Sequence, residues 1–222
     1  EGSATLGLPQ AAGAGLAGLG AAVQGALRVE LAGVDGGATV SVEPCAIETV
    51  LSGADQSMWL ASLHAAPHGV RRMSVAVPGV VETSDNLGVV DVSPQAGSCT
   101  FMVRFLVEGP GVELANEIVS LFALSGTEAK VFGFYPGWAP NPASPLLATC
   151  QAVYTEVFGG ESETHVVHAG LECGLIGGKY PELDMVSFGP NIRGAHAPGE
   201  SVDVASVERC WRLLREILTK LA

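Results

Sequence analysis

Two glycine-rich stretches in the second half of the chain contain residue types that serve metal and hydrolytic chemistry. The first reads H-V-V-H-A-G-L-E-C-G from His165 to Gly174 and lies at the end of a predicted strand. Strand ends are where α/β proteins commonly place ligand sites. On an extended strand, His165 and His168 point to opposite faces, so we expect them not to share an ion. We expect no special role for His165, whereas for His168 the residues leave a ligand role and a structural role open.

The second stretch reads F-G-P-N-I-R-G-A-H-A-P-G-E and places His196 and Glu200 in a loop directly after another predicted strand. A neutral imidazole on such a loop can bind zinc, and a nearby carboxylate can orient it. A catalytic zinc takes about three protein ligands and a structural zinc four. The chain contains neither H-x-D nor H-E-x-x-H, so the sequence predicts an incomplete metal site.

Two further residues could take part in chemistry. Cys173 lies close to His168 in sequence and could be a nucleophile beside its base. A buried and inert cysteine is the favoured interpretation. Arg104 lies in the middle of a predicted strand. It is either a charge at the rim of the sheet or a planar clamp for a carboxylate, and the residues alone leave both open.

Composition narrows the classes of partner and compartment. The formal net charge of the 222 residues is −12, which argues against binding to nucleic acid. The five cysteines form no C-x-x-C pair, so we expect a reducing, cytoplasmic compartment. The chain opens on Glu1 without a basic leader, so we expect no secretory signal. The Ala- and Gly-rich run from Ala11 to Val23 is expected to be poorly ordered or loosely helical rather than membrane-spanning.

The periodicity of the first 135 residues predicts strands followed by a helix and a further strand. A hairpin between Leu27 and Val42 is a weaker expectation. The other predicted elements are a helix at Asp55–His64, strands at Arg71–Val81, Leu87–Val92 and Ser98–Val107, a helix from Val112 to Phe122, and a strand at Lys130–Tyr135. This order indicates a small open-faced α/β sandwich, with an antiparallel sheet covered on one side.

A proline-rich segment at Tyr135–Pro145 marks a predicted domain boundary. After it, Ser144 and Pro145 are typical of a helix start, and Gly159-Gly160 of a helix end. Strands are predicted at Thr164–Val167 and Met185–Phe188, and a last helix at Ser206–Leu221. Its residues expected to face inward are Val207, Trp211, Leu214, Leu218 and Leu221. This is one flank of a three-layer α/β domain with too few strands, so we expect half of that domain to be absent.

From about Ala65 to the C-terminus, several long motifs resemble the aminoacyl-histidine dipeptidases, also called Xaa-His or cytosolic non-specific dipeptidases. These are co-catalytic zinc metallopeptidases. The motifs are P-H-G-V at Pro67–Val70, G-V-V-E-T-S-D-N-L-G-V-V at Gly79–Val90, Y-P-G-W at Tyr135–Trp138, H-A-G-L-E-C-G at His168–Gly174, and Y-P-E-L-D-M-V-S-F-G-P-N-I at Tyr180–Ile192.

The resemblance implies an α/β protein in three parts. Residues 1–64 are a low-complexity lead-in and a weakly matched lid region. Residues 65–135 are an α+β portion of the lid, the domain through which the family forms homodimers. Residues 136–222 are the C-terminal half of a three-layer α/β/α catalytic domain.

The resemblance also implies roles for individual residues. His196 matches a metal ligand, and Arg104 matches the lid arginine that binds the substrate carboxylate. His168, Gly170 and Glu172 match residues that line the substrate pocket. The implied cofactor is zinc, two ions per complete site in the family, with cobalt or manganese as alternatives. The implied substrate is a dipeptide of the Xaa-His type, hydrolysed by metal-activated water.

The family's H-x-D motif, bridging aspartate, E-E pair with the general base, and lid G-G-H-S-G are absent. We therefore expect no catalytic residue in this chain and no activity of the chain alone. Two alternatives stay open. The chain could be a non-catalytic dimerisation or assembly module with a vestigial site, or one subunit of a split enzyme whose N-terminal half is a separate polypeptide.

Overall fold

The computed structural model describes residues 2–9, 12–167 and 172–222. Backbone contacts divide the chain into two units. The first comprises Glu1–Ala61 with Val90–Cys99, and the second comprises Ser62–Val89 with Thr100–Ala222.

Helix α1 (Gly13–Glu30) is the main element of the first unit. Its Gln24 side chain holds the segment that follows the helix: Nε2 donates to the Ala38 carbonyl over 3.0 Å, and Oε1 accepts the Val40 N–H over 2.6 Å. The helix continues to Glu30, and Ala and Leu, which have high helix propensity, are interspersed among its glycines. The predicted hairpin at Leu27–Val42 is therefore wrong, and the loosely helical alternative for the lead-in is the correct one.

Helix α2 (Gly53–Ala65) confirms the helix predicted at Asp55–His64. At the start of this helix, the Ser52 hydroxyl donates to the Asp55 carboxylate over 2.7 Å.

None of the helices in the described part of the chain is both long enough and apolar enough to span a bilayer.

A three-stranded sheet contains β1 (Gly69–Met73), β2 (Val81–Val92) and β3 (Gly97–Phe105), in the order β1-β2-β3. Strands β1 and β2 pair antiparallel with Gly69 opposite Asp85, and the register shifts between Val70 and Arg72. The β-rich segments of the sequence thus form a small sheet, but the strand predicted at Arg71–Val81 is wrong beyond Met73, because residues 74–80 form bends and a turn instead.

Helix α3 (Glu108–Leu124) covers one face of this sheet through buried Leu114, Ile118 and Phe122. The Phe122 ring meets the Phe101 ring edge-on, with 5.7 Å between centroids. Gly111 lies directly against the Phe105 ring, where a Cβ atom would overlap it. The open-faced sandwich predicted from the sequence is therefore the observed arrangement, and the chain has an α+β fold.

The last part of the chain is built on α4 (Pro145–Phe158), α5 (Glu172–Lys179), a two-stranded hairpin of β4 (Ile192–Arg193) and β5 (Ser201–Val202), and α6 (Val204–Leu221). Its core joins α4 to α6 through buried Cys150, Val153 and Ile217, with Leu213 and Val186 packed against them. The predicted boundaries of α4 are confirmed. Ser144 caps its start, and Gly159 ends it at a φ of 73°.

Three predicted strands are wrong. Residues 130–135, 164–167 and 185–188 are not strands in the structure. A β-strand needs a neighbour to pair its N–H and C=O groups. The strands of the described residues are in two small sheets, β1-β2-β3 and β4-β5, which contain none of these three segments.

The predicted inward face of α6 is also wrong. Trp211 and Leu218 are 61% and 58% exposed, and Val207 and Leu221 are exposed as well. The buried side is formed by Ser206 and Ile217. Helix α4 packs on the side of α6 that carries Leu213 and Ile217, about a quarter of a turn from the predicted one at 3.6 residues per turn.

Candidate functional site

Arg104 lies on the open face of the three-stranded sheet. Along β3, Phe101, Val103 and Phe105 are half-buried, whereas Met102 and Arg104 are exposed and project from the opposite face. Among the described residues, Arg104 has no ion-pair partner. A guanidinium with its donors unoccupied on an exposed sheet face is suited to bind a planar anion such as a carboxylate.

A shallow depression of about 270 Å³ surrounds Arg104 and is lined also by Ser84, Asp85, Asn86 and Met102. The exposed Asn86 amide offers both a donor and an acceptor beside the guanidinium. Asn86 was not among the residues predicted from the sequence, because the pairing of β2 with β3 is what brings it beside Arg104. Asn86 lies in the sequence T-S-D-N-L-G of β2, which is part of the family motif at Gly79–Val90. That motif was the signal in the sequence that could have identified Asn86.

His196 lies in the loop of the β4–β5 hairpin, in which Ile192 pairs with Val202 and Arg193 with Ser201. Its φ of 63° is left-handed, a region that non-glycine residues rarely occupy, at a cost on the order of 1 kcal/mol. The loop is closed by a turn hydrogen bond from the Ala197 N–H to the Gly194 carbonyl, 3.0 Å. The hairpin thus fixes the backbone of an exposed histidine.

Glu200 supports the same loop. Its Oε2 accepts the main-chain N–H of His196 over 3.1 Å. From the sequence, this carboxylate was expected to orient the imidazole. The hydrogen bond in the structure instead goes to the backbone, so Glu200 stabilises the left-handed turn rather than the ring.

The described residues offer fewer donors than a metal ion requires. Within residues 2–9, 12–167 and 172–222, no group of three or more His, Cys, Asp or Glu side chains could hold a metal. His196 supplies one donor, fewer than the about three that a catalytic zinc takes. The described residues therefore do not fit a complete metal centre.

The remaining candidates belong to the H-A-G-L-E-C-G stretch. His168 and Gly170 lie outside the described residues. Glu172 is exposed and is the first residue of α5. Within the described residues, the depression at Arg104 is lined neither by Glu172 nor by His196, so the structure does not bring these candidates together in one pocket.

His165 and Cys173 have the positions of ordinary structural residues. The His165 Nε2 lies 3.2 Å from Glu163 Oε2 in an exposed pair. Cys173 is half-buried on α5. Helix α5 itself is seated by Gly174, where a Cβ atom would overlap the Pro136 carbonyl oxygen. Gly174 therefore allows close packing of α5 against the proline-rich segment.

A model of the peptidase family M20/M25/M40 matches residues 14–220. This is most of the chain, and the chain therefore belongs to that family. The match begins well before Ala65, so it includes much of the region in which the motifs are weak. The family predicted from the motifs is confirmed.

Two relatives narrow the comparison. The chain is 40% identical over 159 residues to the cytosol non-specific dipeptidase of Escherichia coli strain K12. The matched residues are 72% of this chain and 33% of that protein. The structure of this chain also resembles that of the aminoacylhistidine dipeptidase from Vibrio alginolyticus, with a TM-score of 0.78 and 34% identity. That match covers 96% of this chain and 44% of the other. The chain thus spans less than half the length of either relative.

Proposed function

We propose that the chain forms the C-terminal portion of a zinc metallo-dipeptidase that hydrolyses dipeptides of the Xaa-His type. The observation that carries the proposal is the 40% identity over 159 residues to a cytosol non-specific dipeptidase. The fold similarity to an aminoacylhistidine dipeptidase supports it over nearly the whole chain. Zinc, the substrate class and a cytoplasmic location belong to the proposal.

Arg104 is proposed to bind the C-terminal carboxylate of the dipeptide. Its exposed guanidinium has no acidic partner among the described residues, and it can form two parallel N–H···O bonds with a carboxylate. Asn86 lies in the same depression and is suited to hydrogen-bond the same substrate group. By resemblance to the family, His168, Gly170 and Glu172 are proposed to line the substrate pocket of the complete enzyme.

His196 is proposed to be one metal ligand of the complete enzyme, with its backbone held by the β4–β5 hairpin and Glu200. No catalytic residue is proposed within this chain. The chain alone is therefore proposed to be inactive, and its role is to hold substrate and one side of the metal.

The proposed organisation follows the sequence boundaries. Residues 1–64 lead into the lid, residues 65–135 form the lid portion through which the protein dimerises, and residues 136–222 form the returning half of the catalytic domain. The three-stranded sheet with α3 lies within 65–135, and the α4–α6 layer lies within 136–222.

A fusion protein tests the proposal. The part of the E. coli dipeptidase that this chain does not match is joined, in one polypeptide, to this chain, and hydrolysis of an Xaa-His dipeptide is measured with added Zn²⁺ or Mn²⁺. The fusion should be active and the chain alone inactive. His196→Ala should lower kcat by about 100-fold, a loss of about 2.7 kcal/mol. Arg104→Ala should raise KM by about 30-fold, since a hydrogen bond to a charged group is worth about 2 kcal/mol.

Two control substitutions remove a histidine and an arginine that lie outside the proposed site. His165→Ala removes an exposed histidine that pairs only with Glu163, and Arg215→Ala removes an exposed arginine of α6. Both should leave kcat and KM within twofold of the parent fusion, which is about 0.4 kcal/mol. An inactive fusion that folds and binds metal contradicts the proposal. Turnover by the chain alone, abolished by His196→Ala, contradicts the absence of activity in this portion.

A further inference from the structure

A cleft of about 480 Å³ lies between the three-stranded sheet and helix α3, and we name it the α3 cleft. It is on the side of the sheet that α3 covers, whereas Arg104 projects from the open face. Its volume is within the range of about 300–1,000 Å³ that is typical of small-molecule sites. The residues that line it include Arg71 and Arg72 of β1, Thr83 of β2, and Glu113, Leu114 and Glu117 of α3.

The wall of the α3 cleft that β1 forms is basic. Neighbouring residues of a regular strand point to opposite faces, yet the register of β1 against β2 shifts on both sides of Arg72, and such a bulge re-aims side chains. Arg71 Nη2 lies 2.7 Å from Glu117, and Arg72 Nε lies 2.9 Å from Glu82. The other nitrogens of both guanidiniums have no hydrogen-bond partner among the described residues. This wall therefore presents two anchored guanidiniums with free donors.

The wall that α3 forms is acidic. Glu113 and Glu117 are four positions apart and therefore share one face of the helix. The exposed Glu113 carboxylate has no ion-pair or hydrogen-bond partner within the described part of the chain. The formal charges of the two arginines and the two glutamates cancel, with the positive charges on β1 and the negative charges on α3. A ligand that carries both a carboxylate and an ammonium group matches this separation better than a simple anion or cation.

Thr83 lines the α3 cleft with a hydroxyl that the fold does not use. Its side chain is 0% exposed, and its Oγ1 has no hydrogen-bond partner in the residues that the structure describes. Buried hydroxyls are normally hydrogen-bonded, because an unpaired one destabilises the folded state. A ligand oxygen in the cleft would supply the missing partner. Leu114, which is 2% exposed, gives the same cleft an apolar surface.

We propose that the α3 cleft binds a zwitterionic α-amino acid. The carboxylate of the ligand accepts hydrogen bonds from Arg71, Arg72 and the Thr83 hydroxyl, since a guanidinium fork matches a carboxylate. The ammonium group of the ligand donates to Glu113, and an apolar side chain contacts Leu114. This inference goes beyond the proposed function and does not depend on it, because none of these residues belongs to the proposed dipeptide-binding or metal-binding groups.

Isothermal titration calorimetry of the full chain with L-leucine tests the proposal. L-leucine should bind at one site per chain. L-leucinamide lacks the carboxylate and N-acetyl-L-leucine lacks the ammonium group, so each should bind at least about tenfold more weakly. The absence of binding heat with L-leucine at millimolar concentrations overturns the proposal. Equally tight binding of either derivative, or of inorganic phosphate, also overturns it, because the site would then recognise a single charge.

Substitutions in the two walls locate the ligand. Arg71→Ala and Glu113→Gln should each weaken the binding of L-leucine by at least about tenfold. Arg215→Ala and Glu208→Gln make the same changes at exposed positions of α6 and should bind like the unmodified chain. Arg104→Ala should also bind like the unmodified chain. If Arg104→Ala abolishes binding instead, the ligand occupies the depression at Arg104 and the proposal is overturned.

Two substitutions of Thr83 separate a ligand contact from a structural role. Thr83→Val removes the hydroxyl and should weaken binding about tenfold, while the Tm of the free chain stays equal or rises, because that hydroxyl has no partner in the fold. Thr83→Ser keeps the hydroxyl and removes a buried methyl group. Its Tm should fall, while its affinity for L-leucine stays within about twofold of the unmodified chain. Affinities that instead follow Tm in these two variants overturn the contact.

Discussion

The Ser144 hydroxyl donates a 2.7 Å hydrogen bond to Oδ2 of Asp184 and accepts the main-chain N–H of Leu147 over 2.9 Å. The same Oδ2 also accepts the Leu146 N–H over 2.9 Å. Two residues 40 positions apart therefore satisfy the first free N–H groups of α4. Through Met185 and Val186, this bond also holds the predicted strand segment against the α4–α6 core.

Removing the cap should weaken α4. Ser144→Ala deletes the acceptor for Leu147 and the donor to Asp184, and should lower the free energy of unfolding by about 1 kcal/mol. Urea unfolding followed by circular dichroism measures the change. Thr149→Ala is the control, because its hydroxyl bonds only to the Pro145 carbonyl of the same helix and should change stability by less than about 0.5 kcal/mol. Equal losses for the two variants would contradict the capping role.

Asp184 should make stability depend on pH. The Ser144 hydrogen bond, followed by the Leu146 N–H, holds the pKa of its carboxyl below the ordinary value of 3.8. The ionised form is favoured in the folded state, so its contribution is full above 3.8 and is lost as pH falls through the lowered pKa. Asp184→Asn should therefore lower Tm at pH 7 and have less effect at pH 3. A Tm difference that is the same at both pH values would rule this out.

The side chain of Arg72 should contribute more to the free energy of unfolding than that of its neighbour Arg71. The Arg72 Nε lies 2.9 Å from Oε1 of Glu82, whose side chain is only 8% exposed, and Arg72→Ala leaves that carboxylate buried without a countercharge. Because Arg72 itself is half-exposed, we expect a loss of about 2 kcal/mol, below the range for fully buried pairs. Arg71 pairs with the exposed Glu117 at 2.7 Å, so Arg71→Ala should cost less than about 1 kcal/mol. Chemical denaturation of both variants measures these losses, and equal losses of unfolding free energy would contradict the prediction.

Asp85 is expected to destabilise the folded chain at neutral pH. Burial raises the pKa of its carboxyl above 3.8, assisted by Glu117 and opposed by His68 and Arg71. Its Oδ2 has no hydrogen-bond partner among the described residues. The folded state binds the proton more tightly, so the cost is absent below 3.8 and full once pH exceeds the raised pKa.

Asp85→Asn should accordingly raise Tm at pH 7 and leave it unchanged near pH 3. Asp91→Asn, on the exposed part of the same strand, should have little effect at either pH. Differential scanning calorimetry of both variants gives the comparison. A lower Tm for Asp85→Asn at pH 7 would show that the carboxylate has a stabilising partner.

Local signals in the sequence predicted the helices well. The start of α4 follows from Ser144 and Pro145, and its end from Gly159, because capping depends on residues next to the helix in sequence. The family also followed from the sequence, since the motifs are long and contiguous. The resemblance to that family also implies roles for Arg104 and His196, without indicating how either side chain is held.

Relationships between distant residues were decided only by the tertiary structure. Asn86 lies beside Arg104 because β2 pairs with β3, and Glu200 bonds to the His196 backbone because the hairpin turns left-handed there. The predicted strand at Met185–Phe188 failed because a strand requires a neighbour that its own sequence cannot supply. The periodicity of α6 likewise predicted an apolar stripe correctly. Only packing decides which side of a helix is covered, and in this chain α4 covers the side with Ile217 and leaves Trp211 exposed.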